Sequence, residues 1–310
     1  MKKRFIILFY ILIFAFVSFY RNDIAVFLIE NVVYNKTTTD LEHNDYSKQA
    51  SYSYIKNTTD FKVKNKLDIM NVIYTIIDSG MNEFTFYCSP EYEMCQYDVE
   101  HISVDETSLS ILNNFVHPYN SYNKLYVSTN NMGKIRLEVN KLYTNEEINY
   151  INNQLTLIKE KIIRSEMSVR DKIKAFHDYI IDKTSYDKER AAEIENNILV
   201  ENKNNSHKAN GVLKNNIALC SGYTDLMSIF LNDLNIKNYK ISTDEHIWNA
   251  IYLDNKWYHL DMTWDDPVTV SGQGIILYDY FLISNEQLND KKTNQHKFDL
   301  HIYNEIAITK

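Results

Sequence analysis

The chain reads as α+β: a helix with a nucleophile at its N-terminus packed against an antiparallel sheet, preceded by a small α+β accessory domain and an N-terminal apolar helix. Three observations predict this. Cys220 opens Cys-Ser-Gly-Tyr-Thr-Asp-Leu, after which Tyr223, Leu226, Met227, Phe230 and Leu234 recur at the spacing of one buried helix face. Alternating segments at 246–253 and 256–263 flank Asp254-Asn255, a pair suited to a tight hairpin turn. Helix-period and strand-period stretches are mixed between residues 61 and 142.

At the N-terminus, Lys2-Lys3-Arg4 precede an uninterrupted apolar run from Phe5 to Tyr20, ended by Arg21-Asn22-Asp23. A positive-then-apolar pattern is that of a secretory signal or signal anchor. At 1.5 Å per residue the run spans about 24 Å, short of a ~30 Å hydrocarbon core. Snorkelling by Tyr20, Arg21 and the leading lysines closes that gap. With no Ala-x-Ala cleavage site and no cysteine suited to lipidation, residues 1–35 are expected to be a single-pass membrane anchor, with the rest of the chain outside the cytoplasm (secreted if the segment is cleaved).

Residues 36–60 are polar and rich in Thr, Asn, Asp and Ser, the composition of a linker. The accessory domain, 61–142, is expected to hold a helix over 62–78, a strand over 83–88 and a helix over 107–115. Two further strands near 124–128 and 134–139 would be joined by a turn at Asn131-Met132-Gly133. The loop from His117 to Tyr122 reads as solvated. From 143 onward lies the catalytic domain. Thr144-Asn-Glu-Glu147 is a capping box opening a helix faced by Ile148, Ile151, Leu155, Ile158 and Ile162. Ser168-Val-Arg-Asp171 starts another, striped by Val169, Ile173, Phe176 and Ile180, with His177 as a packing residue on its border. Residues 187–210, charged and Asn-rich, read as a loop covering the nucleophile.

A cysteine, a histidine and an acid in this order are the minimum set for thiolate-based acyl transfer. At a helix N-terminus the dipole and free amides favour a thiolate at Cys220. Gly222, lacking a side chain, would let a substrate backbone approach beside Tyr223. A two-residue hairpin loop pairs Leu253 with Lys256, so Trp248 faces Asp261. His246 and Asp261 then fall on one face as diagonal neighbours, with Cα atoms roughly 7–8 Å apart. A register slip of one residue would put them on opposite faces. Asp261 would fix the tautomer of His246, whose other nitrogen would face Cys220. Trp248 and Trp264 would wall the cleft. His259 is a rival base farther toward the turn, and Asp265 and Asp266, beside Pro267, are expected to shape a turn.

Cys220-Ser-Gly-Tyr, His246-Ile-Trp-Asn-Ala and the segment from Trp257 through Asp261-Met-Thr-Trp-Asp-Asp-Pro267 resemble the bacterial transglutaminase-like superfamily. The helix Asp171-Lys-Ile-Lys-Ala-Phe-His-Asp-Tyr-Ile with the following Tyr186-Asp187, and Tyr280-Phe-Leu-Ile-Ser, resemble its opening helix and closing strand. The resemblance covers residues of about 165 to 285. It implies a papain-like α+β core with Cys220 as nucleophile, His246 as base and Asp261 as orienting acid. Family members include cross-linkers, peptidases, amidases and inactive forms, so the resemblance speaks to the site more than to the reaction. The Cys220 amide is one oxyanion donor; a second must come from a loop the sequence does not place.

The net charge of −8 and pI near 5.6 leave no basic stripe for nucleic acid. The 310 residues are 45% hydrophobic, enough for a substantial core. Cys88 and Cys95, outside the catalytic region, could pair in an oxidising compartment and leave Cys220 free. They lack the histidines a metal site would need, and no acidic loop suits calcium, so no cofactor or metal is expected. The expected partner is a peptide or protein outside the cytoplasm, with cell-wall peptide a candidate. The competing reading is a surface scaffold that keeps the fold and binds without turnover.

Overall fold

The computed structural model describes residues 2–28, 43–48, 63–89, 91–130, 133–198, 203–267 and 275–308. Most of the expected linker, 36–60, and the Asn131-Met132 part of the expected turn lie outside these residues. The chain divides into two compact units, one of residues 1–110 and 120–142, the other of residues 111–119 and 143–310.

In the first unit, helices α1 (Lys2–Phe19) and α2 (Arg21–Leu28) follow one another, and the ring-bearing residues Phe9, Phe14 and Phe19 of α1 are exposed. The expected spanning segment is not met: among the described residues no helix is long and apolar enough to cross a membrane. The apolar run is only sixteen residues long, and Lys2, Lys3 and Arg4 share its helix. Helix α3 (Lys66–Asp78) starts at Asn65, whose side chain accepts from the Asp68 amide, and buries Ile69, Val72, Ile73, Ile76 and Ile77. Strand β1 (Glu83–Tyr87) leads to helix α4 (Cys95–Val104); α5 (Glu106–Phe115) follows, its residues from 111 onward belonging to the second unit. Strands β2 (Tyr122–Thr129) and β3 (Lys134–Lys141) close an antiparallel sheet of order β1-β3-β2. A disulfide joins Cys88 to Cys95, so the stretch between them ends in the first residue of a helix. The loop at 117–122 is buried where solvent was expected. In the first unit Asn120 donates to the Asp78 carbonyl at 2.8 Å; in the second, Tyr119 donates to Asn152 at 2.8 Å.

The second unit opens with α6 (Asn145–Ile162) and α7 (Val169–Lys183), each begun by a complete capping box, at Thr144/Glu147 and Ser168/Asp171. Two short strands, β4 (Ser185–Tyr186) and β5 (Ile217–Ala218), pair in parallel. Between them lie α8 (Lys188–Glu195) and α9 (Ala209–Asn215), so the expected covering loop carries two helices and buries Asp187, Ser206 and Asn210. Helix α10 (Cys220–Asp233) packs on a three-stranded antiparallel sheet of order β6-β7-β8, made of β6 (Asn238–Ser242), β7 (Ile247–Leu253) and β8 (Lys256–Leu260). A short α11 (Met262–Asp265), α12 (Asn285–Asp290) and α13 (Asn304–Ile308) complete it. The stretch expected as a closing strand makes a single antiparallel bridge, His259 to Ile283.

The sheet's core gathers Ile241, Trp248, Ala250, Trp257 and, from the C-terminal segment, Tyr303 and Ile306. Beneath α10, Lys240 of β6 meets Asp225 at 2.7 Å with both side chains about 5% exposed or less, and Tyr143 donates to the same carboxylate. A buried ion pair tolerates neither partner's loss, because the survivor would be an uncompensated charge.

Candidate active site

The two-stranded ladder sets the nucleophile. Tyr186 pairs with Ala218, and the Asp187 amide donates to the Ala218 carbonyl at 2.8 Å. Leu219 then adopts an extended backbone (φ −90°, ψ 172°) as the N-cap, and its amide donates to the Ser206 carbonyl at 2.8 Å. Cys220 is the first residue of α10, half-buried, and the free thiol of the three cysteines. Its amide belongs to the first turn, where N–H groups lack intrahelical partners.

Gly222 does not open space for substrate. A Cβ there would meet the Ser206 carbonyl oxygen at 2.2 Å and Val212 Cγ2 at 3.0 Å, so the chain itself fills the position. Close approach of two backbones is the reason for glycine here. Gly222→Ala is therefore expected to destabilise the protein by about 1–3 kcal/mol, the usual cost of overpacking. Urea unfolding measures this, and an unchanged midpoint would contradict it. Tyr223 is likewise buried, with its hydroxyl donating to Asp266 at 2.5 Å, so it supports the site's floor and offers no open cleft surface.

The hairpin has the expected register: Asn249 pairs with Leu260, Ala250 with His259, and Leu253 with Lys256 across a turn in which Asp254 and Asn255 take φ of 52° and 62°. Positive φ at both central residues is the type I′ pattern that matches strand twist. The strands stop sooner than expected, however. β7 begins at Ile247 and β8 ends at Leu260, because Asp261 turns out of the sheet to cap α11. Its Oδ1 accepts from the Thr263 amide at 2.9 Å and the Trp264 amide at 3.3 Å. That cap aims Oδ2 at His246, whose Nε2 lies 2.6 Å away. Cys220 lies within electrostatic range of the same imidazole.

Burial alone would lower the pKa of His246. The charge and hydrogen bond of Asp261, followed by the contact with Cys220, outweigh it and raise the imidazole to about 10. Burial pushes the Asp261 carboxyl up, but the charge and hydrogen bond of His246, together with the bond from His296, hold it at about 2. Through the neutral range the pair is thus a carboxylate bonded to an imidazolium. Tyr186 shares the surroundings: burial first, then negative charge at Cys220, Asp187 and Asp261, raises its phenol to about 12.

Trp248 is buried and stacks parallel to His246 with centroids 5.8 Å apart, while Trp264 meets it edge-on at 6.5 Å. His259 is occupied elsewhere. Its Nδ1 accepts from Trp248 Nε1 at 3.0 Å, its Nε2 meets Asn285 Oδ1 at 2.5 Å, and burial drives its pKa down to about 4. Asp265 holds the Tyr280 amide at 2.9 Å and lies 3.2 Å from Nε2 of buried His177, so it braces α7 and the C-terminal segment.

Sequence reasoning missed His296. Its Nε2 lies 2.8 Å from Asp261 Oδ2, its Nδ1 2.8 Å from Thr293 Oγ1, and its ring stacks on Tyr280 at 4.8 Å and 15°. A single histidine in a polar C-terminal stretch, outside the motifs, carries no signal of its own. His246, Asp261 and His296 offer donor atoms all within 4.8 Å of one another. The separations of 2.6 and 2.8 Å are hydrogen-bond lengths. Donors sharing a tetrahedral zinc at ~2.0–2.1 Å would stand about 3.3 Å apart. The set fits shared protons.

Residues 157–262 match the model of the Transglutaminase-like superfamily, a stretch that contains Cys220, His246 and Asp261. No curated protein matches the chain. Among solved structures, the chain is similar to a TGase, at 17% identity over 56% of this chain and 61% of that one, with a TM-score of 0.37. Another, a provisionally assigned cysteine protease from Cytophaga hutchinsonii, is 11% identical over 50% of this chain and 65% of that one, with a TM-score of 0.27. This chain thus spans less than two thirds of either structure.

Proposed function

We propose that the protein is an extracytoplasmic cysteine enzyme that acts on amide bonds through an acyl-enzyme. One arrangement carries the reading: His246 is hydrogen-bonded to the Asp261 carboxylate at 2.6 Å and within electrostatic range of Cys220, the first residue of a helix. In the mechanism it supports, the Cys220 sulfur attacks an amide carbonyl, and the Cys220 amide helps hold the oxyanion. As the C–N bond breaks, the proton on His246 passes to the leaving amine. Water or a second amine then attacks the thioester carbonyl and gives its proton to His246. The sulfur leaves as the thiolate. Release to water makes the protein a peptidase or amidase; release to an amine makes it a transamidase.

The Cys88–Cys95 disulfide supports an oxidising compartment, where such bonds persist. The exposed apolar side chains of α1 support attachment to a membrane. The substrate class is accordingly a peptide or protein outside the cytoplasm, cell-wall peptide included.

Iodoacetamide at pH 6 tests the reading without a known substrate, because only a thiolate reacts. Cys220 of the intact chain is expected to alkylate at least about tenfold faster than in the urea-unfolded chain or in His246→Ala, a factor set by thiolate fraction. Equal rates would favour a scaffold that keeps the fold without turnover.

A further inference from the structure

Asp261 Oδ2 receives two imidazoles, where thiolate acyl transfer requires one. We propose that His296 is a positioning residue for this site: by donating its Nε2 proton to Oδ2 it holds the Asp261 carboxylate in the orientation that His246 needs. The inference rests on the reading of Cys220, His246 and Asp261 as nucleophile, base and orienting acid.

Each half of the geometry points the same way. Both oxygens of Asp261 are committed, Oδ1 to the amides of Thr263 and Trp264 and Oδ2 to His246 and His296. A carboxylate accepts on about four lone-pair sites, so this one is filled. His296 can bond there only as a donor, which puts its proton on Nε2. Its Nδ1 lies 2.8 Å from the Thr293 hydroxyl, which can serve either tautomer, so the carboxylate is what places the proton on Nε2. The ring is 5% exposed as a residue and cannot swing away: Tyr280 stacks on one face, and Trp248 and Trp264 meet it edge-on at 4.9 and 5.1 Å. Its placement comes from the 3-10 turn at Asn294–His296, well beyond the stretch that matches the transglutaminase-like model. A buried carboxylate with a vacant lone pair would be drawn toward water or rotation. His296 fills that site with a donor.

Other groups face the same carboxylate. Cys220 reaches it through His246, while Asp265, Tyr186 and Tyr280 lie within electrostatic range. None of these is hydrogen-bonded to Oδ2 among the described residues, so the two imidazoles dominate its protonation.

The test compares two substitutions in the full chain by the pH dependence of Cys220 alkylation. His296→Phe keeps an aromatic ring against Tyr280 and removes the donor. His296→Gln keeps a donor near the Nε2 position. His296→Phe is expected to slow alkylation at pH 6 about tenfold, the scale of one charge-assisted hydrogen bond, and to move the acid limb of the profile up by about one pH unit. His296→Gln is expected to stay within about threefold of wild type with the limb unmoved. Circular dichroism at each pH confirms that the compared variants are folded. A Phe variant with wild-type rate and limb would reduce His296 to a packing residue. A Gln variant as slow as Phe would also overturn the proposal. If wild-type Cys220 reacts no faster than in His246→Ala, the underlying reading fails and the inference falls with it; acceleration in wild type with no effect of Phe sinks the inference alone.

Discussion

Cys220→Ala is expected to reduce amide turnover by about 10⁶-fold, the scale lost when the nucleophile of a triad is removed. Stability should change by less than about 1 kcal/mol, because the side chain is half-buried and the change leaves neither a large cavity nor a charge without a hydrogen-bonded partner. Asp261 still holds His246 in this variant. Turnover and thermal unfolding measured on one preparation separate the two effects. Parallel loss of fold and activity would mean that Cys220 is structural, and residual turnover within tenfold of wild type would place the chemistry elsewhere.

Asp261→Asn is expected to cost about 10⁴-fold in kcat, through the tautomer rather than through misfolding. An amide has one accepting and one donating end, whereas all four bonds at Asp261 require acceptance. The backbone amides of Thr263 and Trp264 cannot reverse, so the carbonyl must serve them and the NH2 must face two imidazoles. His246 then carries its proton on Nδ1, where it no longer takes one from the thiol. The stability effect has a definite sign against pH. Asp261 has a folded pKa of about 2 against an ordinary 3.8, so its contribution is present above 3.8 and lost as pH falls through 2. His246 has a folded pKa of about 10 against 6.5, so its contribution is full below 6.5 and lost as pH rises through 10. The unfolding free-energy gap between wild type and Asp261→Asn should therefore be widest between about pH 4 and 6.5. A gap that widened toward pH 10 would contradict the ion pair.

The elements that carried local rules were legible. Asp254-Asn255 announced its turn because both residues tolerate left-handed backbone, and the turn alone sets every pairing down to Asn249 and Leu260. The boxes at Thr144 and Ser168 are complete within four residues, so they too were visible. Features decided by distant contacts were not. β6 escaped notice because its buried positions include Asn238 and Lys240, polar side chains whose partners, Ser228 and Asp225, lie on α10. The ladder of β4 and β5 is two residues wide, too short to show a period. Gly222 was read as an opening because nothing local reveals that Ser206 lies across it. At His246 and Asp261 the register was right but the strand lengths were not, since a side-chain cap at Asp261 outcompetes one more pair of ladder bonds.

Phe115 lies against Tyr239 and Tyr303, and Asn114 donates to both Ser242 and Tyr303 at 2.7 Å. One side of the sheet that presents the histidine is thus clad by residues drawn from well before and well after residues 157–262. Cutting the gene at the limits of that stretch would strip the hydrophobic cladding along with His296. The stretch that matches the family model and the stretch that buries the sheet's apolar side chains are, in this chain, two different lengths of polypeptide.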